Sequence, residues 1–262
     1  MRDSHARTPT RRFLIGAIMA SAAILVPSSV ESRKIGIPFN PAHFSNSLII
    51  NNPLFPLVVG TTYIYHADVE VGCEEDRVVV TNNTKHVASG VTAREVHDSV
   101  YSGPTCDTAT QLTEDTLDWY AQDDSGNVWY LGEDSKECDE NGCVPSDGSW
   151  EAGADIDNIG SNGVPGLFML ARPRMGDGYQ QEFYAGHAED VATITGVNVD
   201  ATLTRPDAYP PKVFHHCIRT KERSLIEPGS VAVKYYCPAI GMVFEQELSR
   251  NGPRSELVAI QH

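Results

Sequence analysis

Between residues 115 and 143, apolar and polar side chains alternate on either side of two well-marked turns. Leu117, Trp119 and Ala121 interleave with Asp118, Tyr120 and Gln122, the period of two expected of a half-buried strand. Asp123-Asp124-Ser125-Gly126 supplies turn chemistry, and Asn127–Leu131 returns as a strand carrying Val128, Trp129 and Tyr130. A second turn, Asp139-Glu140-Asn141-Gly142, holds an Asn-Gly pair that tolerates positive φ, with Cys138 and Cys143 on either side. Two successive hairpins are therefore predicted. The first is expected to form one wall of a cavity, with Trp119 turned inward beside Leu117 and Ala121 while Asp118 and Gln122 keep to a hydrated face.

The same alternation recurs along the chain. Upstream it predicts strands at Thr61–Val69, Arg77–Thr81 and Val91–Val100, with Asn82-Asn83-Thr84 as the turn after the second. Downstream, the Gly-, Asp- and Asn-rich Ala152–Pro165 reads as a long loop or lid. Short strands follow at Leu167–Ala171, Tyr179–Tyr184 and Asp190–Val199. A regular meander closes the chain at Val213–Thr220, Val231–Cys237, Met242–Leu248 and Glu256–Ile260. About a dozen short strands with few or no helices predict a mainly-β fold, an antiparallel meander closing into a barrel or half-barrel. No fixed-period repeat is present, which disfavours propellers and solenoids.

The chain has 262 residues, enough for one sizeable core. A single domain is predicted over residues 57–262, preceded by a loosely structured, Asn/Pro/Ser-rich lead-in over 33–56. Residues 1–32 are set apart. Arg11-Arg12-Phe13-Leu14 and the apolar run to Leu25 resemble a twin-arginine export signal; a general secretory signal that happens to carry two arginines is the alternative. That run is too short to span a bilayer, so no membrane insertion is expected. The formal net charge is −15, and cleavage near Ser32 would remove four arginines and only two acids. A surface so negative repels nucleic acid and anionic lipid, which argues against both as partners. A product released into the periplasm or the extracellular medium is expected.

Six cysteines, an even number in an exported chain, predict three disulfides. Spacing pairs Cys138 with Cys143 and Cys217 with Cys237, leaving Cys73 for Cys106. No Cys-x2-Cys pair suggests zinc, so no metal and no cofactor is expected. Nucleophile and metalloprotease signatures are absent. His187-Ala188-Glu189 lacks the cysteine half of a deaminase site. His215 and His216 are adjacent in a strand and point to opposite faces, one core and one surface. Asp123–Asn127 lacks the glycine of a calcium loop, and a looser site around Asp155, Asp157 and Asn158 is an alternative.

Polar side chains with acid–base capacity recur on strands. Glu182 and Tyr184 share a predicted face, as do Glu95 and His97, and His66 and His216 complete the candidate set. Trp119 and Tyr130 are the candidate ligand contacts.

Asp118-Trp119-Tyr120-Ala121-Gln122-Asp123 followed by Gly126-Asn127-Val128-Trp129-Tyr130, with Glu227-Pro228-Gly229, Lys234-Tyr235-Tyr236 and Ile240-Gly241-Met242-Val243, resembles a group of exported bacterial β-meander proteins over about residues 53–260. The resemblance implies export and architecture; it brings no catalytic residues, and the cysteine pairs are not part of it. Two functions stand at this stage. One is a secreted, soluble binding or interaction protein with a cavity for a small apolar or aromatic ligand. The other is a cofactor-independent extracytoplasmic enzyme, a lyase, isomerase or hydrolase, using Glu182, Tyr184, His97, His66 or His216 as acid and base. The enzyme reading requires these side chains to converge.

Overall fold

The computed structural model describes residues 33–248 and 252–262; the export segment predicted over 1–32 lies outside them. These described residues gather into one compact unit. Its regular structure is almost entirely strand, with two short 3-10 turns at Pro41–His43 and Cys106–Thr108.

The N-terminal meander comprises β2 (Thr62–Asp68), β3 (Cys73–His86), β4 (Thr92–Gly103), β5 (Gln111–Gln122) and β6 (Val128–Asp139), each antiparallel to the next. The C-terminal meander comprises β10 (Asp177–Gln180), β11 (Asp190–Thr202), β12 (Val213–Ser224), β13 (Val231–Cys237), β14 (Gly241–Glu247) and β15 (Arg254–Gln261). The two join where β15 pairs with β2, making one sheet that runs from β10 to β6. At one end β1 (Arg33–Lys34) adds in parallel to β10. At the other, three short strands share the free side of β6: β7 (Gly142–Pro145), β8 (Trp150–Glu151) and β9 (Gly166–Met169).

Right-handed twist accumulated over so many strands curls the sheet upon itself. Tyr120 on β5 and Tyr236 on β13 are six strands apart, yet both rings pack against Phe55 and Phe168. The face carrying these tyrosines is the inner face, and it also holds Tyr65, Val80, Val96, Ile194, Ile218 and Leu257, all buried.

The predicted barrel does not close. The ends of the sheet meet at a single antiparallel bridge, Val164 to Phe183. The physical reason lies in the strands that would have had to pair. The predicted strand Tyr179–Tyr184 stops at Gln180, because the chain beyond it is backed by Gly166, where a Cβ would stand 1.7 Å from the Gln181 carbonyl oxygen. A close backbone approach replaces a ladder there.

Two further expectations are corrected by irregularities in pairing. Asn82-Asn83-Thr84 is not a turn but lies within β3, where the register with β4 shifts between Val80 and Thr84. The orientation of the first hairpin is reversed as well. Asp118 pairs with Glu133 and Tyr120 with Tyr130, so Leu131 and Gly132 together oppose Trp119 in a bulge. Gly132 has φ +135°, and a Cβ there would lie 2.3 Å from the Trp150 carbonyl oxygen, so only glycine serves. Thr116, Asp118 and Tyr120 consequently take the inner face. Trp119 is 7% exposed on the opposite face, where the Lys85 ammonium sits 4.7 Å from its ring centroid.

All three predicted disulfides are present: Cys73–Cys106, Cys138–Cys143 and Cys217–Cys237. Such bonds persist in oxidising compartments, which fits an exported chain. The lead-in carries little regular structure and is fastened to the sheet by side chains. Phe39 and Phe44 pack on Trp129 at centroid distances of 5.2 and 6.2 Å, and Gln122 Oε1 accepts from the backbone of Asn51 and Asn52 at 2.9 and 2.8 Å. Among the described residues no helix is long and apolar enough to cross a membrane.

Candidate functional site

Strand pairing sets ionisable side chains among the inner-face tyrosines. Directly opposed residues in antiparallel strands share a face, so Asp76, which opposes Val100, lies with Asp98, which opposes Thr116, and with Asp118, which opposes Val96. The bulge at Gly132 changes the parity of β6 and brings Tyr130 and Glu133, three residues apart, to this same side. The Tyr130 hydroxyl donates to Asp118 Oδ1 and lies 2.8 Å from Glu133 Oε2. Its ring stacks on Tyr120 with centroids 4.8 Å apart.

Across the curl, Lys234 on β13 pairs with Glu222 at 3.2 Å and Glu245 at 3.5 Å, and Thr220 donates to Glu222 at 2.7 Å. Glu182 completes the group. It is half-buried, and its electrostatic neighbours Glu133, Asp118 and Lys234 come from β6, β5 and β13. Arg94 also lies on this face, but its guanidinium is directed at the Thr81 and Asn83 carbonyls.

Crowding and burial displace the titrations of these groups. Burial pushes the Asp118 carboxyl up to about 7; the Tyr130 hydrogen bond opposes the shift, and Glu114 and Asp76 add to it. Burial also raises Asp98 well above the usual carboxylate range, helped by Asp76, to which it is joined by a side-chain hydrogen bond. Glu182 moves the same way through burial and then Glu133. Tyr65, Tyr120, Tyr130 and Tyr236 are all raised by burial and remain protonated donors. Burial disfavours the Lys234 ammonium, yet Glu222 and Glu245 outweigh it and hold the group charged.

The candidate acid–base residues do not converge. Glu182 alone of the five belongs to the inner face. Tyr184 is fully buried under the 152–165 loop, where its hydroxyl donates to Asp155 at 3.0 Å, accepts from the Asp157 N–H at 3.0 Å, and its ring stacks on His187. His66 lies on the outer face between Asp207 at 2.7 Å and Glu75 at 3.0 Å. His97, also outside, meets Asp115 and Ser99 through the same nitrogen, Nε2, so the three cannot relay a proton as a triad does. His215 and His216 are both exposed rather than one core and one surface, because His216 takes φ +61° and breaks the strand alternation; its Nδ1 lies 2.6 Å from Asn198 Oδ1. Of the two candidate ligand contacts, Tyr130 lies on the inner face and Trp119 on the other.

Sequence reasoning missed Asp76, Asp98, Asp118, Glu133, Glu222 and Lys234. A signal existed at one of them: Asp98 lies between Val96 and Val100 in the alternation of β4, whereas Asp76 and Asp118 follow Glu74 and Thr116 on theirs. Among the described residues the one trio of potential ligand atoms close enough for a single metal ion is Asp68, Cys73 and Cys106, and both sulfurs are tied in a disulfide. A surface depression of about 520 Å³ lies elsewhere, beside Asn51, Gln122 and Asp124, whose side chains are already taken up in fastening the lead-in.

No family model matches the chain, and no curated protein matches it. Among solved structures it is similar to a protein from Parabacteroides distasonis described as a "putative lipoprotein", at 11% identity and a TM-score of 0.39, over 80% of this chain and 99% of that one.

Proposed function

We propose that this is an exported binding protein, released into the periplasm or the medium, whose small-molecule ligand lies along the inner face of the curled sheet. The observation that carries the reading is the row of half-buried and buried polar groups, Asp76, Asp98, Asp118, Glu133 and Glu182, set around the stacked pair Tyr120 and Tyr130 in a molecule whose other candidate side chains are scattered. Folding places carboxyl groups inward only at a cost in solvation. A face lined by carboxyl groups suits a polar ligand better than the apolar one expected from the aromatic residues. Nuclear magnetic resonance of the exported protein against a fragment library tests the reading. Shifts that cluster on the inner-face residues are expected, and a library that leaves these signals unmoved overturns it.

One observation favours a second reading, a cofactor-independent enzyme. Asp118, titrating at about 7 and hydrogen-bonded through Tyr130 toward Glu133, has the poise of a general acid–base. Under that reading Asp118→Asn keeps ligand binding and loses turnover; under the first it alters affinity alone.

A further inference from the structure

The outer face of the C-terminal meander is opposite in sign to the chain as a whole. Ile218, Thr220 and Glu222 of β12 are buried on the inner side, so the alternation of a strand points Arg219, Lys221 and Arg223 outward. We propose that this row of cations is the docking surface for an acidic polysaccharide, a flexible sugar chain bearing carboxylate or sulfate groups. The surface is separate from the inner face and does not depend on a ligand there.

The first support is the register around the row. The three cations recur at every second residue, roughly 6.6–6.8 Å apart along the strand. Lys221 and Arg223 are exposed and Arg219 is half-buried. Strand pairing flanks them with Val191 and Thr193 of β11 on one side and with Val231, Val233 and Tyr235 of β13 on the other, and Phe244 and Gln246 of β14 follow. None of these outward positions is acidic. Among the described residues neither Lys221 nor Arg223 is joined to a carboxylate. The Arg219 guanidinium donates to the Thr195 hydroxyl at 3.1 Å and carbonyl at 2.8 Å, neutral groups that leave its charge intact. Glu189, before β11, turns its carboxylate to the Gly186 N–H at 2.9 Å. Arg77, Lys85 and Lys136 of the N-terminal meander are by contrast matched by Glu75, Glu151 and Asp115.

The second is the contrast between local and total charge. With a formal net charge of −15, the whole molecule is repelled by a broad anionic surface. Screening confines each charge to about 8 Å at physiological salt, so a thin flexible chain lying along β12 senses the row and little of the remainder. An extended membrane or a rigid duplex meets the acidic remainder as well.

The third separates a sugar chain from an acidic peptide. β12 lies between β11 and β13, so its backbone donors and acceptors are spent in ladders and no peptide can add to it as a strand. Recognition falls to side chains. The cations take acid groups, the Thr193 and Tyr235 hydroxyls suit sugar hydroxyls, and Val231, Val233 and the Tyr235 ring offer half-buried apolar area to the faces of the sugar rings.

Isothermal titration of the exported protein with polygalacturonate and with heparin in about 0.15 M salt tests the proposal. Saturable binding to at least one of them is expected, weakening as salt rises, with no binding of uncharged dextran. Lys221→Gln combined with Arg223→Gln should weaken it by about tenfold, the worth of two exposed ion pairs, while melting within a few degrees of the parent protein. Arg77→Gln combined with Lys136→Gln makes the same change in net charge on the N-terminal meander and should leave affinity unchanged. Thr193→Val, which alters no charge, should cost about fivefold through a lost hydroxyl contact. Polyglutamate and phosphatidylglycerol vesicles should bind at least about tenfold more weakly than the sugar chain. Failure of both polysaccharides to bind, equal losses in the two double variants, or polyglutamate or vesicles bound as tightly as the polysaccharide overturns the proposal.

Discussion

Two buried carboxylates on opposite faces of the sheet meet opposite fates. Glu256, fully buried on the outer face of β15, is surrounded by donors: the Thr204 and Arg205 backbone N–H groups at 2.7 and 2.9 Å, the Thr204 hydroxyl at 2.7 Å, and the Arg254 guanidinium. Burial alone would raise its pKa, but these donors bring it below the usual range. Asp118, about as enclosed on the inner face, has Tyr130 as its hydrogen-bond donor and Glu114 and Asp76 as acidic neighbours, and burial wins. One carboxylate is fully committed to holding the 203–209 segment on the sheet. The other, with Tyr130 as donor and acids beside it, keeps its proton up to about neutral pH. Burial by itself therefore does not set the charge of an acid; the supply of donors decides which of the two is ionised.

The comparison breaks most sharply at Glu256. Glu256→Ala leaves two backbone N–H groups and a guanidinium without their acceptor, and loss of one partner from a buried charged network costs about 3–5 kcal/mol. Urea denaturation should show a loss of that size, with the 203–209 segment becoming protease-sensitive. A loss below about 1 kcal/mol would mean that water replaces the carboxylate and that the donors were not what lowered it. Next in size is Trp119→Ala. Its ring is core beneath Lys85 rather than lining of the inner face, so the cost is about 3–4 kcal/mol of stability. Ligand affinity at the inner face should be unchanged once the variant is folded. Weaker binding at full occupancy of the native state would return Trp119 to the site.

Much of the architecture was legible in the chain. Strand alternation, turn residues and cysteine spacing are local signals, and they yielded the meander, both central hairpins and all three disulfides. Failures came where one residue changes parity. Gly132 inserts a bulge that turns Asp118 inward and Trp119 outward, and nothing in a period-two pattern marks which of two alternating sets faces the core when both contain aromatics. The inner face was illegible for a second reason. Its members come from β3 to β6, the segment after β10, and β12 to β14, and they meet only because the sheet curls. An aspartate within a strand reads as solvent-facing until that curvature is known. The histidines, conspicuous as residue types, proved to be outer-face or surface partners of nearby acids.

The smallest expected effect is also the one that sets the two carboxylates apart by sign. Asp118 keeps in the folded protein a proton that the unfolded chain releases near pH 4, so the native state binds more protons between about pH 4 and 7 and stability falls as pH rises through that window. Above about 7 both states are ionised at this residue and the loss stops growing. Glu256 runs the other way: its contribution is present above the ordinary carboxylate range and disappears as pH drops below it. Asp118→Asn keeps an oxygen to accept from Tyr130 and cannot ionise, so it should flatten the decline by roughly 2–3 kcal/mol between pH 4.5 and 7.5. Residual slope will remain from Asp98 and Glu182, which burial raises in the same direction. Urea titrations of both proteins at three pH values decide the matter. Parallel curves would show that Asp118 ionises as freely as an exposed acid and that burial on the inner face does not set its titration.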